Sequence, residues 1–173
     1  MTEDQMELID QLMGKQLSKE EFAELFFKAE DNRSSFILKL LENAFVRKNS
    51  DDVECCMYVA FVFDLFSLEY IPILSKLLAE DWHIDHEDIA TLFQKFRRPE
   101  TIDVLYKTAL RKFKYLDYND SSALAVKCIW ALGDIGTKAA KTKLELLAKS
   151  DNEIIRDNAV YQLTGLGRTW KDE

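Results

Sequence analysis

The sequence predicts an all-α chain of about ten helices, stacked as antiparallel pairs, with no strand. Three observations carry that expectation. Apolar residues recur at three- and four-residue spacing almost from end to end, and the breaks between them are of turn length. Five Gly and two Pro in 173 residues are too few turn formers for a sandwich of short strands, and 47% hydrophobic residues are too many for disorder. The C-terminal third also matches itself at an offset of 31 residues.

The first helix is expected from about Glu3 to Met13, stopping at Gly14 in a left-handed C-terminal position. Ser18 and Glu21 then form a capping box, opening a helix whose stripe is Phe22, Leu25, Phe26 and Ala29. A third helix, Arg33 to Arg47, places Phe36, Ile37, Leu40, Leu41, Ala44 and Phe45 on one side. The segment from Asp52 to Phe66 is apolar around its whole circumference, so it is expected in the core with no solvent face. Pro72 suits the first turn of a helix bearing Ile73, Leu74, Leu77 and Leu78. Asp85 precedes a helix with Ile89, Leu92, Phe93 and Phe96 inward, and Pro99 ends it. A helix from Pro99 to Phe113 follows, carrying Ile102, Leu105, Tyr106, Ala109 and Leu110. No linker or low-complexity tract divides the chain, so residues 1–173 read as a single domain.

The self-match aligns Leu124 with Ile155, Cys128 with Ala159, Leu132 with Leu163 and Gly136 with Gly167. Between the copies, Ala140, Leu144 and Leu147 make the stripe of a second helix over Thr137 to Lys149, closed by a turn at Ser150 to Asn152. The stretch from about Ser121 to Gly167 resembles HEAT repeats of the phycobilisome-lyase type, on the strength of Ala131 to Gly136 (ALGDIG) and Ser150 to Leu163 (SDNEIIRDNAVYQL). The resemblance extends more loosely back to Asp85, with Phe96 in the place of Leu132, while residues 1–80 fit only as divergent helix pairs. It implies an α-solenoid whose second helices line a concave groove, with Asp151 and Arg156 bonded across a turn. The first copy has Ala125 where that Arg would stand.

Net charge is −8, which argues against a general affinity for nucleic acid or an anionic membrane. The charge is unevenly laid out. Residues 1–31 carry nine acids and three bases, whereas residues 97–114 carry six bases and two acids. On the second helices, Lys107, Arg111 and Lys114 fall at i, i+4 and i+7, and Lys138 and Lys141 share a side with Lys149. With Arg97 and Arg98 these are the candidate partner-binding residues, suited to an acidic protein segment or a phosphate backbone.

His83, Asp85 and His86 are the residue types of a metal site, but one short loop supplies three ligands where zinc takes about four. Asp85 and Asp88 are instead expected to cap the following helix. Cys55, Cys56 and Cys128 are expected on buried faces, with adjacent Cys55 and Cys56 unable to pair. No histidine lies near them, and there is no G-x-S-x-G, P-loop or Gly-rich dinucleotide fingerprint. Trp130 is expected in the core at a seam between repeats, and Trp82 and Trp170 in packing roles, with exposed anchors or local lids as the alternative.

The N-terminus lacks the basic start of an export signal, and the longest apolar run, Cys55 to Phe63, is too short for a bilayer, so a cytoplasmic chain is expected. The functional expectation is a non-enzymatic, cofactor-free, protein-binding chain, monomeric or a weak dimer. An inhibitor or immunity-type protein that masks a basic enzyme or toxin is its more specific form. The alternatives are an adaptor in a larger assembly, or a nucleic-acid or phosphate binder using the basic residues.

Overall fold

The computed structural model describes residues 1–28, 30–116, 122–165 and 169–172. Ala29, Ser121, Leu166 and Gly167, which the sequence reading placed in a helix stripe and in the repeat, lie outside the described residues. Among the described residues there are ten α-helices and no strand, only an isolated bridge between Thr137 and Lys171. The helices are α1 (Glu3–Met13), α2 (Lys19–Phe26), α3 (Arg33–Arg47), α4 (Ser50–Val62), α5 (Ile71–Leu78), α6 (His86–Phe96), α7 (Ile102–Ala109), α8 (Ser122–Ile135), α9 (Lys138–Leu147) and α10 (Glu153–Thr164). None is long and apolar enough to cross a membrane. The chain divides into two compact units, Met1–Ile73 and Leu74–Glu173, with the division inside α5.

In the first unit, helix starts follow local chemistry. Thr2 with Gln5, and Ser18 with Glu21, form capping boxes that satisfy amide groups left free at the starts of α1 and α2. Asn32 and Asn49 accept from the Ser35 and Asp52 amides to cap α3 and α4. Gly14 does not take the expected left-handed conformation: its φ is −73°, and Lys15, at φ +56°, makes the reversal instead.

The core of this unit is aromatic. Phe22 stacks on Phe26 at 4.7 Å between ring centroids, and Phe27 meets Phe22, Phe26, Phe36 and Phe63 edge-on. Such edge-to-face contacts set positive ring edges against negative ring faces, adding to the burial of apolar area. The Tyr70 hydroxyl donates to the Ser34 carbonyl at 2.7 Å, and the Ser34 hydroxyl to the Leu65 carbonyl at 2.9 Å, tying the segment after α4 to the start of α3. Burial pushes the Tyr70 phenol up to about 12. α4 is shorter than expected and has a solvent face after all, on which Glu54 and Phe61 are exposed.

In the second unit α8 packs against α6, α7, α9 and α10, and α10 also against α9. Three side-chain contacts give the register. Glu87 on α6 meets Lys127 on α8 at 3.0 Å, Gln94 donates to Asp134 at 2.8 Å, and Asp103 on α7 meets Lys143 on α9 at 2.8 Å. Each pair is 40 residues apart, so α6 runs the same way as α8, and the same separation relates α7 to α9. Leu92, not Phe96, therefore stands level with Leu132. A hydrophobic stripe repeats each turn, so sequence alone does not distinguish the two registers. The turn between α8 and α9 is made by Gly136 at φ +70°, a conformation that favours glycine.

Candidate functional site

The expected stripe of Lys107, Arg111 and Lys114 is not one helix face, while Lys138 and Lys141 both stand on α9. α7 ends at Ala109, so only Lys107 projects from it; Arg111 lies beyond its end, and Lys114 begins a separate 3-10 turn. Arg97 caps α6 in a left-handed conformation and is exposed, while Arg98 pairs with Glu100 at 3.2 Å. Lys138 pairs with Asp172 at 2.6 Å and Lys141 with Glu145 at 3.6 Å. Arg156 bonds the Ser150 carbonyl at 3.1 Å rather than Asp151, and Asn152, not Asp151, caps α10.

Arg111 and the two histidines share another task. The last carbonyl groups of an α-helix have no partner within it. At the end of α5 the Leu77 carbonyl faces His83 Nε2 at 2.8 Å, Leu78 accepts from the Thr108 hydroxyl at 3.3 Å, Ala79 from the Arg111 guanidinium, and the Glu80 carbonyl faces His86 Nε2 at 2.8 Å. Four side chains thus close four successive carbonyls. Because a carbonyl only accepts, both imidazoles carry a proton on Nε2. Their Nδ1 atoms then accept, from the Asp85 amide at 3.1 Å and the Tyr115 hydroxyl at 2.8 Å.

The two rings stack at 4.2 Å with an interplanar angle of 4°. Every ring nitrogen is thereby engaged in the protein's own hydrogen bonds. No group of three His, Cys, Asp or Glu able to hold a metal occurs among the described residues. Asp85 stands at the N-cap position of α6, but its side chain makes no capping bond, and its buried Oδ2 lacks a hydrogen-bond partner among the described residues. Burial pushes His86 down to about 4, keeping it neutral near pH 7.

Two of the three thiols, Cys56 and Cys128, are buried. Burial, with Glu54 and Asp10 nearby, pushes Cys55 up to about 11; burial pushes Cys56 up to about 12 and raises Cys128 further. Cys55 is half-buried rather than buried as expected. A disulfide reagent at pH 8 is expected to leave Cys56 and Cys128 unmodified in the folded chain and to modify all three cysteines after denaturation. Rapid modification of Cys128 in native protein would show that α8 is not enclosed.

One exposed feature does have a defined geometry. Trp130 on α8 and Tyr161 on α10 stack at 5.7 Å and 25°, and they remain 39% and 62% exposed. The Trp130 Nε1 donates to Asn158 Oδ1 at 3.1 Å, and Asn158 in turn donates to the Ile154 carbonyl at 2.8 Å, so the indole is held in one orientation. Ile154, Asn158 and Tyr161 lie at i, i+4 and i+7 on one side of α10, and Ile154 is also exposed.

Comparison of the chain with family models, with curated proteins and with solved structures finds no match in any of the three.

Trp130 is thus not in the core, although it does bridge two helices. Burial on α8 takes in Leu124, Ala125, Cys128, Ile129, Ala131, Leu132, Gly133 and Ile135, so the apolar pattern did not mark Trp130, about 200° around the helix from Cys128, as exposed. Trp130 and Tyr161 are also 31 residues apart, occupying the same position in the self-match. Trp82 is half-buried, its Nε1 bonded to Glu80 at 3.0 Å, and Trp170 is half-buried.

Proposed function

We propose that this chain is a non-enzymatic protein-binding protein whose Leu74–Glu173 unit is a short HEAT-like stack of helix pairs. The common 40-residue register of α6 with α8 and of α7 with α9 supports the stack, since repeated helix pairs bury their apolar faces only against neighbours. The observation that carries the binding role is the stacked Trp130–Tyr161 pair. Large aromatics with few rotatable bonds lose little entropy on docking and dominate interface energetics. Here they are exposed and already oriented, so a partner meets a prepared anchor. An inhibitor or immunity-type role is the finer form of this reading, supported by a net charge of −8 that suits the masking of a basic site.

The test is to isolate the tagged chain from its native host beside a Trp130→Ala, Tyr161→Ala variant. One stoichiometric partner is expected with the native chain, and its Kd is expected to rise about 100-fold or more in the variant. Both residues are exposed, so circular dichroism is expected to show the variant folded. A partner retained with unchanged affinity refutes the anchor, and several partners at once would favour the adaptor role.

A further inference from the structure

The first unit carries an apolar groove with an acidic rim, whereas the aromatic pair belongs to the second unit. A cleft of about 690 Å³ opens between α1 and the α2–α3 connection, with Leu8, Leu25, Phe26 and Phe36 among its apolar lining. A second concavity of about 310 Å³ shares Asp4, Leu8, Leu25 and Lys28 with it, so the two form one groove along α1 and α2. On α1, Asp4, Leu8 and Gln11 stand at i, i+4 and i+7, with Glu7 beside them. Leu25 is 48% exposed.

The charges around the groove decide what fits it. Asp4, Glu7, Glu30 and Asp31 line it against the single cation Lys28. Residues 1–31, with nine acids and three bases, account for −6 of the chain's net charge of −8. A second copy of the same unit would bring an equally acidic rim and be repelled. An apolar floor with an anionic rim matches an amphipathic helix that presents leucine-type anchors on one face and lysine or arginine beside them. We propose that the groove between α1 and α2 binds a cationic amphipathic helix of a partner protein, with Leu25 and Leu8 receiving its apolar anchors.

The probe is a designed Leu/Lys amphipathic peptide of about 18 residues, compared by calorimetric titration with a Leu/Glu peptide of the same pattern and with a scrambled Leu/Lys peptide. Saturable one-to-one binding of the Leu/Lys helix is expected at about 10 µM, with neither control binding comparably. Leu25→Glu is expected to weaken it by about tenfold or more, and Glu7→Lys with Asp31→Lys by a similar factor. All three positions are exposed, and the charge variants leave the apolar floor intact, so a folding defect in one variant does not decide the result. Trp130→Ala with Tyr161→Ala is expected to leave this binding unchanged, which separates its failure from failure of the function proposed above. Absence of saturable binding at low salt, equal binding of the scrambled peptide, or indifference to Leu25→Glu would overturn the proposal. So would a dimer of the chain itself that Leu25→Glu dissociates.

Discussion

Acidifying the protein from pH 7 to pH 4 is expected to remove about 3 kcal/mol of stability through His86 alone. The sign follows from the direction of the shift. His86 falls from its ordinary value of 6.5 to about 4 in the folded chain, because burial disfavours the imidazolium, and the neighbouring His83 and Arg111 oppose its charge further. The unfolded chain therefore takes up a proton near pH 6.5 that the folded chain refuses until about pH 4. Stability from this group is complete above pH 6.5 and declines through that window as pH falls. The titratable and charged groups around the ring are His83, Tyr115, Arg111 and Asp85; the Glu80 carbonyl bonded to its Nε2 favours the charged form but does not outweigh burial, and protonating His86 also removes the acceptor that holds the Tyr115 hydroxyl. Urea unfolding at a series of pH values, followed by tryptophan fluorescence, measures the slope. His86→Gln is expected to be less stable at pH 7 yet to show a flatter dependence between pH 6.5 and 4; an unchanged slope would assign the acid sensitivity elsewhere.

Replacing Phe27 with alanine is expected to cost about 3–5 kcal/mol and to unfold the Met1–Ile73 unit before the rest of the chain. Phe27 is 1% exposed and meets four other phenylalanines, so its removal leaves a cavity that rings held by one another fill poorly. Phe61→Ala is the matching control. That ring is 43% exposed and contacts Phe66, so a loss of about 1 kcal/mol or less is expected. Thermal denaturation compares the two, and hydrogen exchange on the Phe27 variant shows whether protection is lost first within residues 1–73. Equal costs at both positions would mean that the aromatic cluster is not the core of that unit.

Much of the local structure was legible because it depends on near neighbours. The Ser18–Glu21 capping box, the bounds of α1 and α3, and the all-helical class follow from spacing along the chain. The candidate site was less legible. Arg111 reads as the middle of a basic stripe, but the Ala79 carbonyl, 32 residues back in the chain, draws it away from α7. His83 and His86 read as potential ligands until the carbonyls at the end of α5 are seen to need them. A helix end exposes acceptors that another part of the chain must meet, and nothing in the local pattern says which residue will meet them.

By itself the sequence determined the all-helical class, the bounds of α1 and α3, the Ser18–Glu21 cap and the uneven charge, because periodicity and capping act within a few residues. Tertiary structure alone decided the 40-residue register of α6 on α8, the closure of α5 by His83, Thr108, Arg111 and His86, and the exposure of Trp130 beside Tyr161. The reason is that an amphipathic stripe says which side of a helix is buried, but not against which turn of which neighbour. That choice is made by side chains distant in sequence satisfying one another's hydrogen bonds and filling one another's gaps.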